Sequence, residues 1–175
     1  DALAMFGVTL PQAEDATTLK ACVASLVREY TELLENRPIS DLITVPDVAD
    51  RQQDSIIRLM AILTDGAYIA VPTLFPYLVM EVVTRSIRYG HNALSAIGFA
   101  WATVVIVQEH KDYRSAFELG KLAMHLVERY PNPRIQAQIT FLYAVCALHW
   151  FLPLSEQLEM YKRAYQYGIE QGNMA

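Results

Sequence analysis

The stretch KDYRSAFELGKLAMHLVERYPNPRIQAQITFLYAVCALHW, Lys111 to Trp150, decides the fold. It reads as two antiparallel helices, roughly 113–130 and 134–149, joined by Pro131-Asn132-Pro133. In the first, Ala116/Phe117, Gly120, Ala123/Met124, Val127 and Tyr130 step by three and four, which gathers them on one apolar side. Arg114, Glu118, Lys121, His125 and Glu128/Arg129 take the same steps half a turn away and face water. The second helix carries Ile135, Ala137, Ile139, Phe141, Leu142, Val145, Cys146 and Leu148. A helix apolar on most sides must be covered on more than one face.

The pair recurs. Gly90, Pro131 and Gly172 follow one another at intervals of 41 residues, and the same shift superposes the helix stripes. Pro76, Phe117 and Leu158 fall together, as do Val79, Gly120 and Tyr161, then Val82, Ala123 and Ala164. Val83, Met124 and Tyr165 form a further column, and Ser86, Val127 and Gly168 another. Thr84, His125 and Gln166 are polar throughout, and Arg88, Arg129 and Glu170 are charged. In the partner helices Leu94, Gly98, Trp101 and Val104 answer Ile135, Ile139, Leu142 and Val145. A fixed period of this size with two helices per unit predicts an all-α fold, an α-solenoid of antiparallel, tetratricopeptide-like helix pairs. Gly120 occupies a core column, so a bulky neighbour should need its space. Trp101 and Phe141 are the expected neighbours.

The rest of the chain fits this frame. A helix over about 18–35 carries Leu19, Cys22/Val23, Leu26, Tyr30 and Leu33/Leu34 on one face and ends at Asn36 and Pro38. Residues 1–6 look like the end of an earlier helix, and 12–18 are polar and mobile in expectation. The segment 39–48 is broken by Pro46. Its Leu42, Ile43, Val45 and Val48 should pack across neighbouring helices. Asp50 caps a helix of about 51–70, with Gln53 at the reciprocal capping position. Thr73 is the candidate cap of a helix with Pro76 in its first turn that runs to about 89, Ser155 that of a helix over about 155–171, and a further helix spans about 93–109. The expected organisation is an N-terminal linker, helix and capping segment over 1–50 and a helical-repeat region over 51–175. The two form one continuous domain, read as a piece of a longer protein that breaks off where a new helix should begin after Gly172-Asn173.

Composition narrows the function. A chain of 175 residues can bury about 70% of its unfolded surface. Apolar residues make up 53% and charged residues 19%, with a net charge of −5 and no Lys/Arg cluster, which argues against nucleic acid as a partner. Cys22 and Cys146 lie in apolar stripes and read as buried thiols of a cytoplasmic protein. The most apolar run, 97–107, falls short of the ~20 residues of a membrane span, so no membrane insertion is expected. The seven glycines form no phosphate-cradling loop, and His91, His110, His125 and His149 lack metal-ligand spacing. No catalytic, cofactor-binding or metal residue is therefore assigned. The tyrosines are in excess, and Trp101, Tyr143, Tyr161, Tyr165 and Tyr167 are the candidate interaction surface. Packing between units is the plainer reading of these rings, and a ligand or partner surface is the other.

A series of short motifs carries a resemblance. Phe6-Gly7-Val8-Thr9-Leu10-Pro11, Ile39-Ser40-Asp41-Leu42, Ala67-Tyr68-Ile69-Ala70 with Leu74-Phe75-Pro76, Tyr89-Gly90 with Leu94-Ser95-Ala96, and Gly120-Lys121-Leu122-Ala123 occur in that order. The chain resembles the central tetratricopeptide-like helical region of large hybrid signalling proteins. Those carry a serine/threonine-kinase-like domain, an AAA-type ATPase module, a GAF sensor and a histidine kinase. The resemblance covers nearly the whole chain. It departs at Glu109-His110-Lys111-Asp112, where the family has a Leu-Gly-Asp-like loop. No Walker lysine, kinase catalytic loop or phospho-acceptor histidine box is present. The resemblance thus implies a non-catalytic piece of a signalling enzyme, whose partners are other domains of its own chain or signalling proteins. Self-association stays open. The alternative is a small-molecule-sensing helical domain with a pocket between repeats near Trp101, Tyr143 and the C-terminal tyrosines.

Overall fold

Seven runs of helical periodicity become seven α-helices in the computed structural model, which describes residues 2–12 and 15–170. They are α1 (Ala16–Leu34), α2 (Arg51–Ala70), α3 (Phe75–Tyr89), α4 (Ser95–His110), α5 (Tyr113–Arg129), α6 (Pro133–Leu142) and α7 (Leu154–Glu170). No strand occurs among the described residues. The expected break at Gly172-Asn173 lies outside them.

Side-chain caps decide where most helices start. Asp15 accepts from the Thr18 amide at 2.9 Å, Asp50 from Gln52 at 2.7 Å, Asp112 from Ser115 at 3.0 Å and Asn132 from Arg134 at 3.1 Å. Each satisfies a donor that the first turn leaves free, worth about 1 kcal/mol. Left-handed residues stop α1 and α4: Glu35 and Asn36 at φ 47° and 63°, and Lys111 at φ 56°. Some expected details differ. The Gln53 carboxamide oxygen accepts from Arg85 at 2.9 Å and ties α2 to α3, where the capping box would have turned it back. Leu74, one residue past Thr73, holds the cap position of α3, and α7 starts one residue before Ser155. Residues 4–6 form a single 3-10 turn closed by Gly7. Cys22 and Cys146 are free thiols, half-buried where full burial was expected.

From α2 to α7 helices adjacent in sequence pack together, whereas α1 lies on α3. α4 sits deepest: eleven of its 16 residues are buried. It meets α3 and α5 along its length and also touches α2 and α6, which is why it could be apolar all round. The 3-10 segment Ile39–Thr44 lies across α5, so Ile39 and Leu42 are buried. The core also takes Leu119, Leu122 and Leu126 of α5, which widens the face read from its stripe.

The helix expected over 134–149 is not uniform. α6 ends at Leu142 and continues as a π turn, Tyr143–Ala147, and a 3-10 turn, Leu148–Trp150. The widened turn lies over Gly120. A Cβ on Gly120 would sit 2.6 Å from Tyr143 Cδ2 and 3.0 Å from the Ala147 Cβ. The neighbours that need this glycine are thus Tyr143 and Ala147, not Trp101 and Phe141. A π turn adds a residue to the turn and so rotates the two flanking stretches of helix against each other, and Phe141 and Val145 end up half-exposed.

Candidate interaction surface

The last helix buries little. Of its 17 residues only Gln157, Ala164 and Gly168 are buried. Beside them runs a second, apolar line: Leu154, Leu158, Tyr161, Tyr165 and Ile169. The steps of 4, 3, 4 and 4 residues keep these on one face. Leu154 is 74% exposed, Leu158 51%, Tyr165 69% and Ile169 50%. Tyr161 is half-buried against Phe141, ring centroids 6.3 Å apart. A third face carries Glu156, Glu159, Lys162, Arg163 and Gln166, with Lys162 bonded to Glu159 at 2.8 Å.

Forty-one residues earlier, the same line on α5 is covered. It reads Tyr113, Phe117, Gly120 and Met124 and ends at Glu128, which is exposed where α7 carries Ile169. Tyr113 packs on Trp150 at 4.4 Å, Phe117 on Phe151 at 4.6 Å and on Tyr143 at 6.2 Å, and Gly120 lies under Tyr143 and Ala147. The chain that follows α5 therefore seats itself on this line. On α7 the equivalent Leu154, Leu158 and Tyr165 stay open among the described residues, and Tyr161 is covered in part by Phe141.

The five candidate residues fall at different places. Trp101 is buried between the rings of Tyr68 (4.7 Å) and Phe75 (5.1 Å). Its Nε1 donates to Asp65 at 2.8 Å, and Gln138 donates to the same oxygen at 2.7 Å, so one carboxylate joins α2, α4 and α6. Tyr143 belongs to the α5 crossing. Burial, with the Glu118 charge second, pushes its phenol up to about 12, so it keeps its proton at neutral pH. Burial also pushes the Cys146 thiol up, away from the nucleophilic thiolate. Tyr161 and Tyr165 lie on the open line, and Tyr167 is half-buried on another side of α7. Leu154, Leu158, Ile169 and Phe141 belong to the surface and are not among the site residues expected from sequence. Their signal is present there all the same: Leu158 shares the column of Pro76 and Phe117.

Two grooves of about 570 and 550 Å³ open elsewhere. One lies between the N-terminal turn and Leu59, Ile62 and Leu63 of α2, the other between α1 and the Pro72–Pro76 corner. None of the five candidate residues lines either groove. Among the described residues no group of three or more His, Cys, Asp or Glu could hold a metal, and no helix is long and apolar enough to cross a membrane. Comparison of the chain with family models, with curated proteins and with solved structures found no match.

Proposed function

We propose that this chain is a non-catalytic helical-repeat module of a cytoplasmic, multidomain signalling kinase with an ATPase module. Its helices form a tetratricopeptide-like α-solenoid with a unit of 41 residues. It binds protein: a neighbouring domain of its own polypeptide or a signalling partner, presented as an amphipathic helix. The observation that carries this reading is the open apolar line of α7, in register with the α5 line that the π turn, Trp150 and Phe151 cover. Two columns support the register, because Val82, Ala123 and Ala164 are all buried, and so are Ser86, Val127 and Gly168. An exposed apolar face this long is costly to leave in water and fits a surface that another helix, of the same polypeptide or of a partner, covers.

The test is binding without chemistry. The chain is titrated by calorimetry with the kinase, ATPase and sensor domains of such a signalling protein, alongside Leu158→Glu. Saturable binding to one of them, lost in Leu158→Glu, is expected. Binding to none, or equal binding by the variant, overturns the reading. So does incorporation of labelled phosphate that a point substitution in this chain abolishes. The groove of about 550 Å³ beside α1 favours a second reading, small-molecule sensing. A ligand there at 100 times its dissociation constant would stabilise the chain by ~2.7 kcal/mol.

A further inference from the structure

Residues 39–48 form a strap laid across α5 and the α3–α4 loop. Arg129 at the end of α5 donates from Nη1 to the carbonyls of Ile43 and Val45, both at 2.8 Å, and from Nη2 to Asp47 at 2.6 Å. The Tyr130 hydroxyl donates to the same carboxylate oxygen at 2.5 Å. From the other side the α3–α4 loop pairs with the strap backbone. The Val48 amide donates to the His91 carbonyl at 3.0 Å, and the His91 amide to the Pro46 carbonyl at 2.9 Å. Gly90, at φ 118°, permits this approach, since a Cβ there would sit 2.6 Å from the Val48 Cα.

The His91 ring lies inside this junction. It is 0% exposed, edge-on to Phe99 at 5.5 Å, with Nε2 2.8 Å from the Leu42 carbonyl oxygen. A carbonyl only accepts, so Nε2 carries the proton and Nδ1 is bare. Nδ1 is buried and has no hydrogen-bond partner. A second proton would therefore place an unsatisfied N–H and a charge in a closed site, both costly. The charged groups around the ring are Asp47 on the strap and Arg129 on α5. α2 contributes Asp54, which accepts from Asn92 at 2.8 Å and pairs with Arg58 at 2.8 Å, and α4 presents the uncharged Phe99.

We infer that the strap is a proton-operated latch: neutral His91 holds residues 39–48 on α5, and a proton taken up at Nδ1 releases them, uncovering Ile39, Leu42 and the end of α5. Burial holds the imidazole below its ordinary range. The Leu42 carbonyl partly offsets this, Arg129 adds to it and Asp47 opposes it. Asp47 stays ionised, since its bonds to Tyr130 and then Arg129 hold its carboxyl below the usual carboxylate range. Tyr130 keeps its proton, pushed up by burial to about 12. Of the groups that bind the strap, His91 alone is an imidazole, the side chain whose ordinary value lies near 6.5. Because its folded value is lowered, the latch is fully closed above the ordinary histidine value of about 6.5 and weakens as pH falls below it. The limit is a tenfold larger open fraction per pH unit.

Native-state amide exchange on the whole chain tests this, with rates corrected for the intrinsic effect of pH. Protection at the Val48 amide should fall up to tenfold per unit below about pH 6.5, while α4 amides hold theirs. In His91→Gln, which keeps a donor for Leu42, the Val48 profile should be flat. His125→Gln, altered at an exposed site, should behave as the parent. A flat Val48 profile in the parent overturns the latch, and so does the same slope in His91→Gln. If His91→Gln does not fold, Arg129→Gln replaces it. That variant should lower Val48 protection at every pH and leave the slope intact, and loss of the slope would overturn the assignment to His91.

Discussion

At the scale of single residues, three helical glycines meet three different surroundings. Around Gly66 of α2 an added Cβ finds nothing within 4 Å. On Gly98 of α4 it would lie 2.3 Å from Val82 Cγ1, a fully buried side chain of α3. On Gly120 it would lie 2.6 Å from the Tyr143 ring. Gly66→Ala therefore gains helix propensity without a clash and should stabilise by ~0.5–1 kcal/mol. Gly98→Ala and Gly120→Ala gain the same propensity but force branched or ring atoms aside, and should destabilise by ~1–3 kcal/mol net. From the sequence alone Gly120→Ala looks closer to neutral, because the propensity gain is expected to offset mild crowding. Urea unfolding of the three variants decides, and a Gly120→Ala chain as stable as the parent would mean that Tyr143 moves freely. In a Gly98→Ala/Val82→Ala pair the second change should recover part of the first loss, since the two share one contact.

At the scale of elements, six of the seven helices lie close to where periodicity puts them, because that signal is local, although the caps of α3 and α7 differ from those expected. The exception is the end of α6. Nothing in Tyr143-Ala144-Val145-Cys146-Ala147 marks a π turn; its counterpart is Gly120, 23 residues earlier. The open line of α7 is legible as a stripe, but whether a stripe is covered depends on what packs there, which periodicity cannot supply. Arg129 is misleading for a related reason. Its spacing places it on a wet face, yet its acceptors lie 82 to 86 residues away in the strap. Three bonds from a guanidinium to two carbonyls and a carboxylate make it the pin of that strap. Arg129→Gln should cost ~1.5–3 kcal/mol, nearer the lower figure because the side chain is 30% exposed. Arg129→Lys should recover only part of this, since an ammonium cannot fork across the same acceptors. Limited proteolysis offers an independent readout: faster cutting within 43–48 than in α4 is expected for both variants.

At the scale of the whole molecule, burial is uneven along the stack. The continuous hydrophobic core runs from Leu3 to Leu142, and α7 stands outside it. Elements with few buried contacts open before a packed core, so α7 is expected to open first. α7 has three buried residues, one of them Gln157, whose side-chain oxygen is buried without a partner. The two tryptophans report on the two regions. Trp101 is 9% exposed and fixed to Asp65, whereas Trp150 is 49% exposed and packed at a tilt on Tyr113 beside the α7 junction. In Trp101→Phe, Trp150 fluorescence should change at lower urea than the far-ultraviolet helical signal of the same sample. In Trp150→Phe, Trp101 fluorescence should follow the later part of that signal. Coincident transitions in both variants would mean one cooperative unit and would remove the basis for treating α7 as a separately stabilised surface. An early Trp150 transition has a functional corollary. A helix bound on the Leu158–Tyr165 line supplies the missing neighbour term, so it should shift the Trp150 transition upward and leave that of Trp101 in place.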